Sequence, residues 1–321
     1  MNERDIVEAA HAYYVLDETM EGIAHRLGVS RSTVSRLLKE ARRQGVVQIT
    51  VDTEPRSTTT IQHHLDRFGV TGHIVDLRSS ATPLSRLDAV ARSAGNLVTS
   101  LMHDGAGLGF AWGTTISAVV DKLPAKPLRG ATVVQLNGAA SAATSGIAYA
   151  GDILTRAARA YDAHPQHFPV PAFFDYAETR EALWREKSVR RVHEMHRGLD
   201  VAVFSTGSFT SELPSHVYSS QYLSRDDVAE LLRADVVGDV CTVFLREDGS
   251  YADIAINDRA SGPTPADLQR LPRRICVVTG VAKVPAALGA LRSGAVTDLV
   301  LDDLTAAALV RRLERPARVN R

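Results

Sequence analysis

Cysteine and long apolar runs are scarce in this chain of 321 residues. The two cysteines, Cys241 and Cys276, each lie in an apolar, β-branched stretch, so we expect buried strand residues and no disulfide framework. No run of about 18 apolar residues occurs, which excludes an ordinary membrane-spanning helix. The acidic, polar N-terminus is unlike a secretory signal, and the composition therefore predicts a soluble, cytoplasmic protein with a packed core and no membrane partner.

Sequence signatures of metal and hydrolase chemistry are also missing. Eleven histidines are present, but neither His193 and His196 nor His164 and His167 belong to an H-E-x-x-H motif, and no C-x-x-C pair occurs. A G-x-S-x-G nucleophile elbow is absent as well. We therefore predict no metal site, no catalytic residues and no cofactor.

Charge is balanced over the whole chain but segregated near its beginning. The chain carries 37 basic and 37 acidic residues, so any strong positive field must be local. Residues 1–25 hold one basic and six acidic residues, whereas residues 26–43 hold six basic residues and one acidic residue. A solvated helix face normally mixes the two signs, so this segregation indicates a surface that meets nucleic acid.

Residues 19–43 have the pattern of two short helices joined by a tight turn. Between the helices, Gly28 can adopt a positive φ and Ser30 suits a helix N-cap. Short polar residues and cations lie on the outer face of the second helix, as in recognition helices that enter the major groove. The apolar stripes at helical spacing are Met20, Ile23, Ala24 and Leu27, then Val34, Leu37, Leu38 and Ala41. The predicted DNA-binding residues are Ser30, Arg31, Ser32, Thr33, Ser35, Arg36 and Lys39.

The flanking segments complete a small domain around this helix-turn-helix. Gly45 is a predicted helix C′ residue, and the alternating residues 46–51 predict a short strand or wing. A preceding amphipathic helix over residues 4–16 would supply Ile6, Val7, Ala10, Tyr13 and Tyr14 to the core.

We assign residues 1–53 to a winged-helix-like DNA-binding domain, residues 54–60 to a polar linker, and residues 61–321 to a larger domain. The structural alternative for the front motif is an ordinary helical hairpin with a solvated charged face. The charge segregation favours DNA binding over this alternative.

From residue 61 onwards, strand-like apolar runs alternate with helical patterns. This alternation predicts an α/β domain with a mainly parallel, Rossmann-like sheet, in which ligands bind beyond the carboxyl ends of the strands. The predicted strands are 73–77, 107–111, 132–136, 201–205, 242–245, 275–279 and 298–301. The predicted helices are 61–68, 84–103, 115–123, 150–161, 178–196, 225–233, 283–293 and 304–313.

The first strand-to-helix junction with ligand-binding chemistry is residues 107–115. Gly113 lets the backbone turn tightly, and the hydroxyls of Thr114 and Thr115 can converge with helical amides on one phosphate. The G-x-G spacing is not a dinucleotide fingerprint, because the third glycine and the later acid are missing. A plain turn with a helix cap is the alternative for this segment.

Two further junctions and one carboxylate are candidates. Residues 205–208, Ser-Thr-Gly-Ser, form a small hydroxyl-rich turn after a strand. Lys283 is expected in the first turn of a helix, where a cation opposes the macrodipole unless an anion accompanies it. Asp239 could accept hydrogen bonds from sugar hydroxyls. A solvated lysine and a turn-capping aspartate are the alternatives.

In this order, the motifs resemble those of the SorC family of bacterial sugar-responsive transcriptional regulators. The resemblance rests on IAHRLGVSRSTVSRLLKEARRQGVVQI, GLGFAWGTT, VVQLNGA, VVGDVC, GVAKVPAAL and LVLDDLTAAALV, which span nearly the whole chain. It implies an effector domain related to ribose-phosphate isomerases and glucosamine-phosphate deaminases. It also implies control by a phosphorylated sugar or polyol, usually in a tetramer.

By match to the family motifs, Gly113, Thr114 and Thr115 would hold the phosphate. Gln135 and Asp239 would face the sugar, and Lys283 would support an anionic or hydroxyl group. Two positions depart from the family pattern. Asn137 occupies the place of the lysine with which some members capture a deoxyribose phosphate, and the turn at 205–208 replaces a small-apolar-glycine sequence.

The sequence therefore predicts a regulator of a carbohydrate or polyol operon that binds a pseudo-palindromic operator as a homo-oligomer, a tetramer or a dimer. The rival is a sugar-phosphate isomerase or deaminase with a helical extension. Such an enzyme needs a base and an electrophile placed around a carbonyl, and no convincing set is visible in the sequence.

Overall fold

The structure, a computed structural model, describes residues 3–16, 18–44, 46–47, 58–211, 215–219 and 222–314. The chain divides into two units, Met1–Arg56 and Ser57–Arg321. Gly45, residues 48–51 of the expected wing and residues 54–57 of the expected linker lie outside the described residues.

The N-terminal unit contains three helices, α1 (Glu3–Tyr14), α2 (Met20–Leu27) and α3 (Arg31–Arg43). Gly28 ends α2 with a φ of 66°, and the Ser30 hydroxyl accepts a hydrogen bond from the Thr33 amide as the N-cap of α3. The apolar side chains predicted for α3 are all buried, and α1 packs against both other helices. The predicted helix-turn-helix is confirmed.

The buried face of α1 differs from the expectation. Val7 and Tyr14 were expected in the core, but their exposed fractions are 48% and 36%. The contact face instead uses Ile6 with the small residues Ala9 and Ala10. Small side chains let helices approach closely, so this face packs against α2 and α3. Val7 and Tyr14, which are seven residues apart and therefore on one side of the helix, lie on the outside.

The second unit is built on a seven-stranded sheet in which every strand pair is parallel. Its strands are β1 (Thr71–Val75), β2 (Gly107–Phe110), β3 (Thr132–Gln135), β4 (His164–Gln166), β5 (Val201–Ser205), β8 (Arg273–Val278) and β9 (Asp298–Asp302). The spatial order is β1-β9-β8-β5-β2-β3-β4. A separate antiparallel hairpin joins β6 (Val236–Val240) and β7 (Val243–Arg246). The predicted parallel α/β domain is confirmed.

Helices follow the strands along the chain. They are α4 (Thr58–Asp66), α5 (Pro83–Leu101), α6 (Thr114–Asp121), α7 (Asp152–Tyr161), α8 (Ala177–Trp184), α9 (Lys187–Arg197), α10 (His216–Ser219), α11 (Arg225–Arg233), α12 (Pro265–Leu268), α13 (Val284–Arg292) and α14 (Asp303–Leu313). A π turn over Ile147–Gly151 precedes α7, and 3-10 turns cover Ala255–Arg259 and Val281–Lys283. Among the described helices, none is both long and apolar enough to cross a bilayer.

The two faces of the sheet carry separate apolar clusters. In β5, Ala202 and Phe204 belong to one cluster, while Val201 and Val203 belong to the other. Because side chains alternate along a strand, these clusters lie on opposite faces of the sheet. Both faces of the sheet are covered by apolar side chains, which explains why the sequences of the central strands are continuous apolar runs.

Two strands were not predicted, and one predicted strand lies outside the parallel sheet. β4 has three residues with Pro165 on an edge strand, and β6 contains Gly238 and Asp239, all of them residues that strands disfavour. The predicted strand 242–245 corresponds to β7, which pairs only within the hairpin. The single helix expected over 178–196 is two helices, α8 and α9.

Candidate functional site

The exposed face of α3 presents the predicted DNA-binding side chains together. Arg31, Ser32, Ser35, Arg36 and Lys39 are exposed, and Thr33 is half-buried. The Ser30 hydroxyl lies 2.8 Å from the Ser32 hydroxyl and 2.9 Å from the Thr33 hydroxyl, and Arg36 donates to Thr33 over 3.4 Å. These hydroxyls and guanidinium groups form one polar surface at the start of the helix.

The positive charge of this face is little reduced by neighbours. Glu40, the single acid of α3, is hydrogen-bonded by Arg43 and Gln44, which lower its pKa to about 2. Arg31 lies 3.3 Å from Glu21, but both side chains are about two-thirds exposed, so water screens the pair. Arg36 and Lys39 form no ion pair with another described residue.

In the α/β unit, a cavity of about 50 Å³ lies at the carboxyl ends of β2 and β5. β3 lies on one side of this pair of strands and β8 on the other, so the cavity occupies the point where the strand order reverses, which is where open α/β sheets bind ligands. We term it the switch-point cavity. It is lined by Ala111, Trp112, Gly113, Thr114, Thr115, Asn137, Ser205, Thr206, Gly207, Ser215, Val217, Asp239, Cys241, Thr242 and Lys283.

Lys283 supplies a buried cation to the switch-point cavity. It ends the 3-10 turn after β8, and 6% of its surface is exposed. Its ammonium donates a hydrogen bond to the Thr115 hydroxyl over 3.2 Å. Burial lowers the pKa of Lys283, and the carboxylate of Asp239 opposes this effect. The solvated lysine considered for the sequence is therefore excluded.

Asp239 supplies the carboxylate from β6, at the turn of the hairpin. One oxygen accepts a hydrogen bond from the Tyr218 hydroxyl over 2.9 Å, and the other accepts one from the Thr242 amide over 3.0 Å. Burial raises the pKa of Asp239, while these two donors lower it. Asp239 thus also holds the turn, as the structural alternative proposed, and its side chain still lines the cavity.

The approach of Asp239 depends on Gly207. A Cβ atom at Gly207 would lie 1.9 Å from an Asp239 carboxylate oxygen, and the Gly207 amide donates to the Asp239 carbonyl over 3.0 Å. The turn at 205–208 therefore packs directly against β6. Only a glycine fits this contact without moving the carboxylate.

The beginning of α6 forms the third part of the cavity wall. Gly113 is the N-cap of α6 with a φ of 142°, as the turn-and-cap alternative proposed, but no side chain hydrogen-bonds the first amides of the helix. The side chain of Thr114 hydrogen-bonds Tyr149 from the π turn, and Thr115 receives the bond from Lys283. Helix N-terminal amides beside a cation form a favourable environment for an anion.

Two buried polar atoms of the cavity have no hydrogen-bond partner within the described parts of the chain, the Asn137 Oδ1 and the Thr206 Oγ1. Buried polar groups are normally paired, so these atoms are positioned to hydrogen-bond a ligand. Asn137 and Thr206 were not among the predicted site residues. Both nevertheless lie in segments that the sequence analysis identified, residues 133–139 and the turn at 205–208.

Gln135 lies apart from the other five predicted ligand-binding residues. Its amide donates to the Asn137 carbonyl over 2.8 Å and accepts from the Phe168 amide over 3.3 Å, and it lines a different cavity. These two bonds hold the side chain of Gln135, which is not among the residues that line the switch-point cavity. The structure therefore does not bring Gln135 into the switch-point cavity.

No group of three or more possible metal ligands occurs among the residues that the structure describes. The imidazoles of His193 and His196 are 5.6 Å apart, beside Phe168 and Trp184. Both cysteines are buried and unbridged, but Cys241 lies in the turn between β6 and β7 with a φ of 50° rather than in a strand.

The arrangement suits binding of a ligand that has both an anionic end and hydroxyl groups. Lys283 and the beginning of α6 attract negative charge, whereas Asp239 accepts hydrogen bonds from hydroxyls. These groups come from separate elements, Asp239 from β6 and Lys283 from the turn after β8, and together they orient such a ligand.

Two family models match the chain. Residues 58–311 match a family model described as "Putative sugar-binding domain", and residues 5–61 match a Crp-like helix-turn-helix domain. The deoxyribonucleoside regulator of Bacillus subtilis is 31% identical over 95% of this chain and 96% of its own length.

Solved structures agree with the sequence comparison. A domain of a possible sugar-binding transcriptional regulator from Arthrobacter aurescens TC1 is 39% identical, with a TM-score of 0.74, over 81% of this chain and all of that one. The full-length sorbitol operon regulator SorC from Klebsiella pneumoniae is 26% identical, with a TM-score of 0.70, over 96% and 98% of the two chains. The chain belongs to the SorC family of transcriptional regulators, which join a helix-turn-helix to a sugar-binding domain.

Proposed function

We propose that this regulator binds operator DNA through α3 and that a phosphorylated sugar or polyol in the switch-point cavity controls the binding. The observation that carries the proposal is the convergence of Lys283, Asp239 and the beginning of α6 on one cavity. The target is a carbohydrate or polyol operon, in keeping with the relatives named for sorbitol and erythritol.

The phosphate group binds at the beginning of α6. The amides that follow Gly113, the hydroxyls of Thr114 and Thr115 and the ammonium of Lys283 are donors that suit a dianion. Lys283 is costly to bury, and it sits at the N-cap of α13, where the helix dipole disfavours a cation. A bound phosphate offsets both costs.

The hydroxyl groups of the sugar bind at Asp239. Asp239 keeps acceptor capacity beyond its bonds to Tyr218 and Thr242, because an ionised carboxylate offers about four lone-pair sites. The buried oxygens of Asn137 and Thr206 add two further acceptors. In this arrangement Asn137 takes the role that the family resemblance assigns to Gln135.

Binding enlarges the switch-point cavity. Its volume of about 50 Å³ is well below the roughly 300–1,000 Å³ of typical small-molecule sites. Ser215 and Val217, at the short helix α10, form part of the wall, and Tyr218 of the same helix is bonded to Asp239. A sugar hydroxyl that competes for Asp239 therefore displaces α10, which gives the ligand a structural effect.

We also propose that the protein acts as a dimer or tetramer on a pseudo-palindromic operator. One helix-turn-helix contacts too few base pairs to distinguish an operator from genomic DNA, and two of them on half-sites one helical turn apart solve this problem. The assembly contacts lie mainly in the α/β domain, residues 61–321, since the DNA-binding domain of residues 1–53 is small.

The function is tested by titrating phosphorylated sugars and polyols, each paired with its unphosphorylated form, into the full chain by calorimetry. Gel shifts on operator DNA then compare the bound and free protein. We expect a phosphorylated compound to bind and to change operator affinity, by a coupling of about 1–3 kcal/mol. Tighter binding of the unphosphorylated partner, or conversion of the compound by the protein, would contradict the proposal.

A further inference from the structure

A second cavity, of about 590 Å³, shares no lining residue with the switch-point cavity. It lies where α8 and α9 face residues 262–271, and its volume falls within the range of small-molecule sites. We term it the arginine cavity. It is lined by Leu136, Arg180, Trp184, Arg185, Arg190, His193, Glu194, His196, Arg197, Gly262, Pro263, Asp267, Leu268, Arg270 and Leu271.

Positive charge dominates the lining of the arginine cavity, with five arginines and two carboxylates. Asp267 is 3.9 Å from Arg270, an exposed and weak pair. The guanidinium groups of Arg185, Arg190 and Arg197 make no ion pair with another residue of the described ranges. Several like charges around one concave surface repel each other and raise the local concentration of anions.

Two buried nitrogen atoms of residues that line this cavity also lack partners in the described structure, the Arg180 Nε, which is a donor, and the His193 Nε2. Arg180 is held in place, because its Nη1 donates to the Asp258 carbonyl over 3.2 Å and its guanidinium lies 5.1 Å from the centre of the Trp184 ring. Buried polar atoms are normally paired, so these two atoms are available to a polar ligand that enters beneath the present surface of the cavity.

The histidines do not supply the charge at neutral pH. Burial lowers the pKa of His196 to about 4. The pKa of His193 is also lowered, mainly by burial and to a smaller extent by the charge of Arg197. The imidazole of His196 donates to the Gln135 carbonyl over 2.8 Å, so it is already engaged. The arginines, which remain charged at any physiological pH, are the anion-binding groups.

We propose that the arginine cavity binds a small organic polyanion with two or more phosphate or carboxylate groups, at the same time as the switch-point cavity holds its own ligand. Guanidinium groups bind both kinds of oxyanion through paired N–H donors. Arg185 at the end of α8, and Arg190 and Arg197 seven residues apart on α9, together offer several cations to one highly charged ligand.

The two cavities share a wall, through which the polyanion can influence the other site. Gly262 lines the arginine cavity and Cys241 lines the switch-point cavity. A Cβ atom at Gly262 would lie 1.6 Å from the Cys241 carbonyl oxygen, so the two backbones are in direct contact. A ligand that shifts residues 262–271 therefore presses on the turn that Asp239 holds.

The test uses the full chain and two probes, inorganic pyrophosphate and citrate, titrated by calorimetry at constant ionic strength. The variant Arg190→Gln/Arg197→Gln removes two cavity charges. The control Arg159→Gln/Arg233→Gln removes two exposed helical charges outside both cavities. We expect the cavity variant to bind at least one probe about tenfold more weakly than wild type, and the control to stay within about twofold. Weaker binding of pyrophosphate would indicate phosphate recognition, and weaker binding of citrate would indicate carboxylate recognition.

Each cavity contains one of the two tryptophans of the chain, which locates the bound anion. In Trp112→Phe, where Trp184 is the sole reporter, we expect the probe to change the emission. In Trp184→Phe we expect a much smaller change, because Trp112 senses the anion only through the shared wall. A response from Trp112 alone, or loss of binding in Lys283→Met but not in the cavity variant, would place the anion in the switch-point cavity and overturn the proposal.

Two further results would also overturn it. Equal weakening in the cavity variant and the control would show binding to general surface charge. Absence of probe binding to wild type, together with a lower mass of the cavity variant in light scattering, would show that a second copy of the chain occupies the arginine cavity. Either result leaves the proposed effector site untouched, because that site is tested by sugar phosphates and Lys283.

Discussion

The ammonium of Lys283 donates a hydrogen bond to the hydroxyl of Thr115 across 3.2 Å, although 168 positions separate the two residues in the chain. This bond joins the turn after β8 to the beginning of α6 and spans the crevice between β2 and β5. The bond thereby brings together an ammonium group and a helix N-terminus, both of which carry positive charge. An anion is the ligand that stabilises both.

Replacement of Lys283 by Met should weaken binding of the phosphorylated effector by about ten- to a hundredfold, because a charge-assisted hydrogen bond is lost. Operator binding without effector should remain. Lys187→Met is the matched control, since Lys187 is exposed at the start of α9. Calorimetry and gel shifts measure the two properties, and unchanged effector affinity in Lys283→Met would remove the phosphate assignment.

Replacement of both Arg31 and Arg36 by Ala should weaken operator binding. A guanidinium that reads a guanine contributes about 1–3 kcal/mol and relaxes specificity when removed, whereas one that contacts phosphate weakens all sequences alike and lowers the salt dependence. Arg67→Ala removes an exposed charge from the α/β unit as the control. Gel shifts at several salt concentrations distinguish these outcomes, and wild-type affinity in the double variant would exclude α3 as the reading helix.

Replacement of Gly207 by Ala should impair both stability and effector binding. The added Cβ would lie 1.9 Å from the Asp239 carboxylate, so the carboxylate or the turn has to move, at a cost of about 1–3 kcal/mol. Gly198→Ala is the control, because the nearest atom to its added Cβ is 3.7 Å away. Urea denaturation and effector titration should separate the two variants. Equal behaviour of both would show that the contact with Asp239 is easily relieved.

Acid should destabilise the α/β unit through His196. Its pKa is about 4 in the folded protein, below the usual value of 6.5, because burial disfavours the charged imidazole. The unfolded chain therefore takes up the proton first as the pH falls below 6.5, and the stability present above that pH is lost towards pH 4. Between pH 7.5 and 5 this loss is about 2 kcal/mol. Urea titrations should show a smaller pH dependence in His196→Gln, and an identical dependence would exclude His196 as the source.

Light scattering of the purified chain at micromolar concentration should give two or four times the mass of one chain. Removal of residues 1–60 should leave that mass multiple unchanged if the assembly contacts lie in the α/β domain. A full-length monomer that still binds its operator tightly would contradict the symmetric arrangement proposed for the half-sites.

Elements with strong local patterns were predicted well from the sequence. The strand Val201–Ser205 and the helix Arg225–Arg233 have the predicted bounds, because a buried parallel strand is a continuous apolar run and a capping box marks the start of α11 at Ser224. Elements with weak patterns were missed. β4 and β6 exist because neighbouring chain segments pair with them, and their residues alone do not favour a strand.

The candidate site was predictable in its chemistry but not in its membership. Turn residues after strands pointed to Gly113, Thr115 and Lys283, which do meet in the structure. Gln135 and Asn137 are two residues apart, and the sequence could not decide which of them faces the cavity. The end of β3 lies between them, so the strand alternation that orients Gln135 no longer applies to Asn137.

By itself, the sequence determined the helix-turn-helix, the α/β class and the polar turns at strand ends, because hydrophobic period, capping and charge are local properties of the chain. Only the tertiary structure decided that β2 and β5 are neighbours, that Lys283 is buried against Thr115 and that five arginines line a second cavity. These facts depend on strand order and on helix packing between distant segments. Contacts of that kind do not produce a periodic pattern in the sequence.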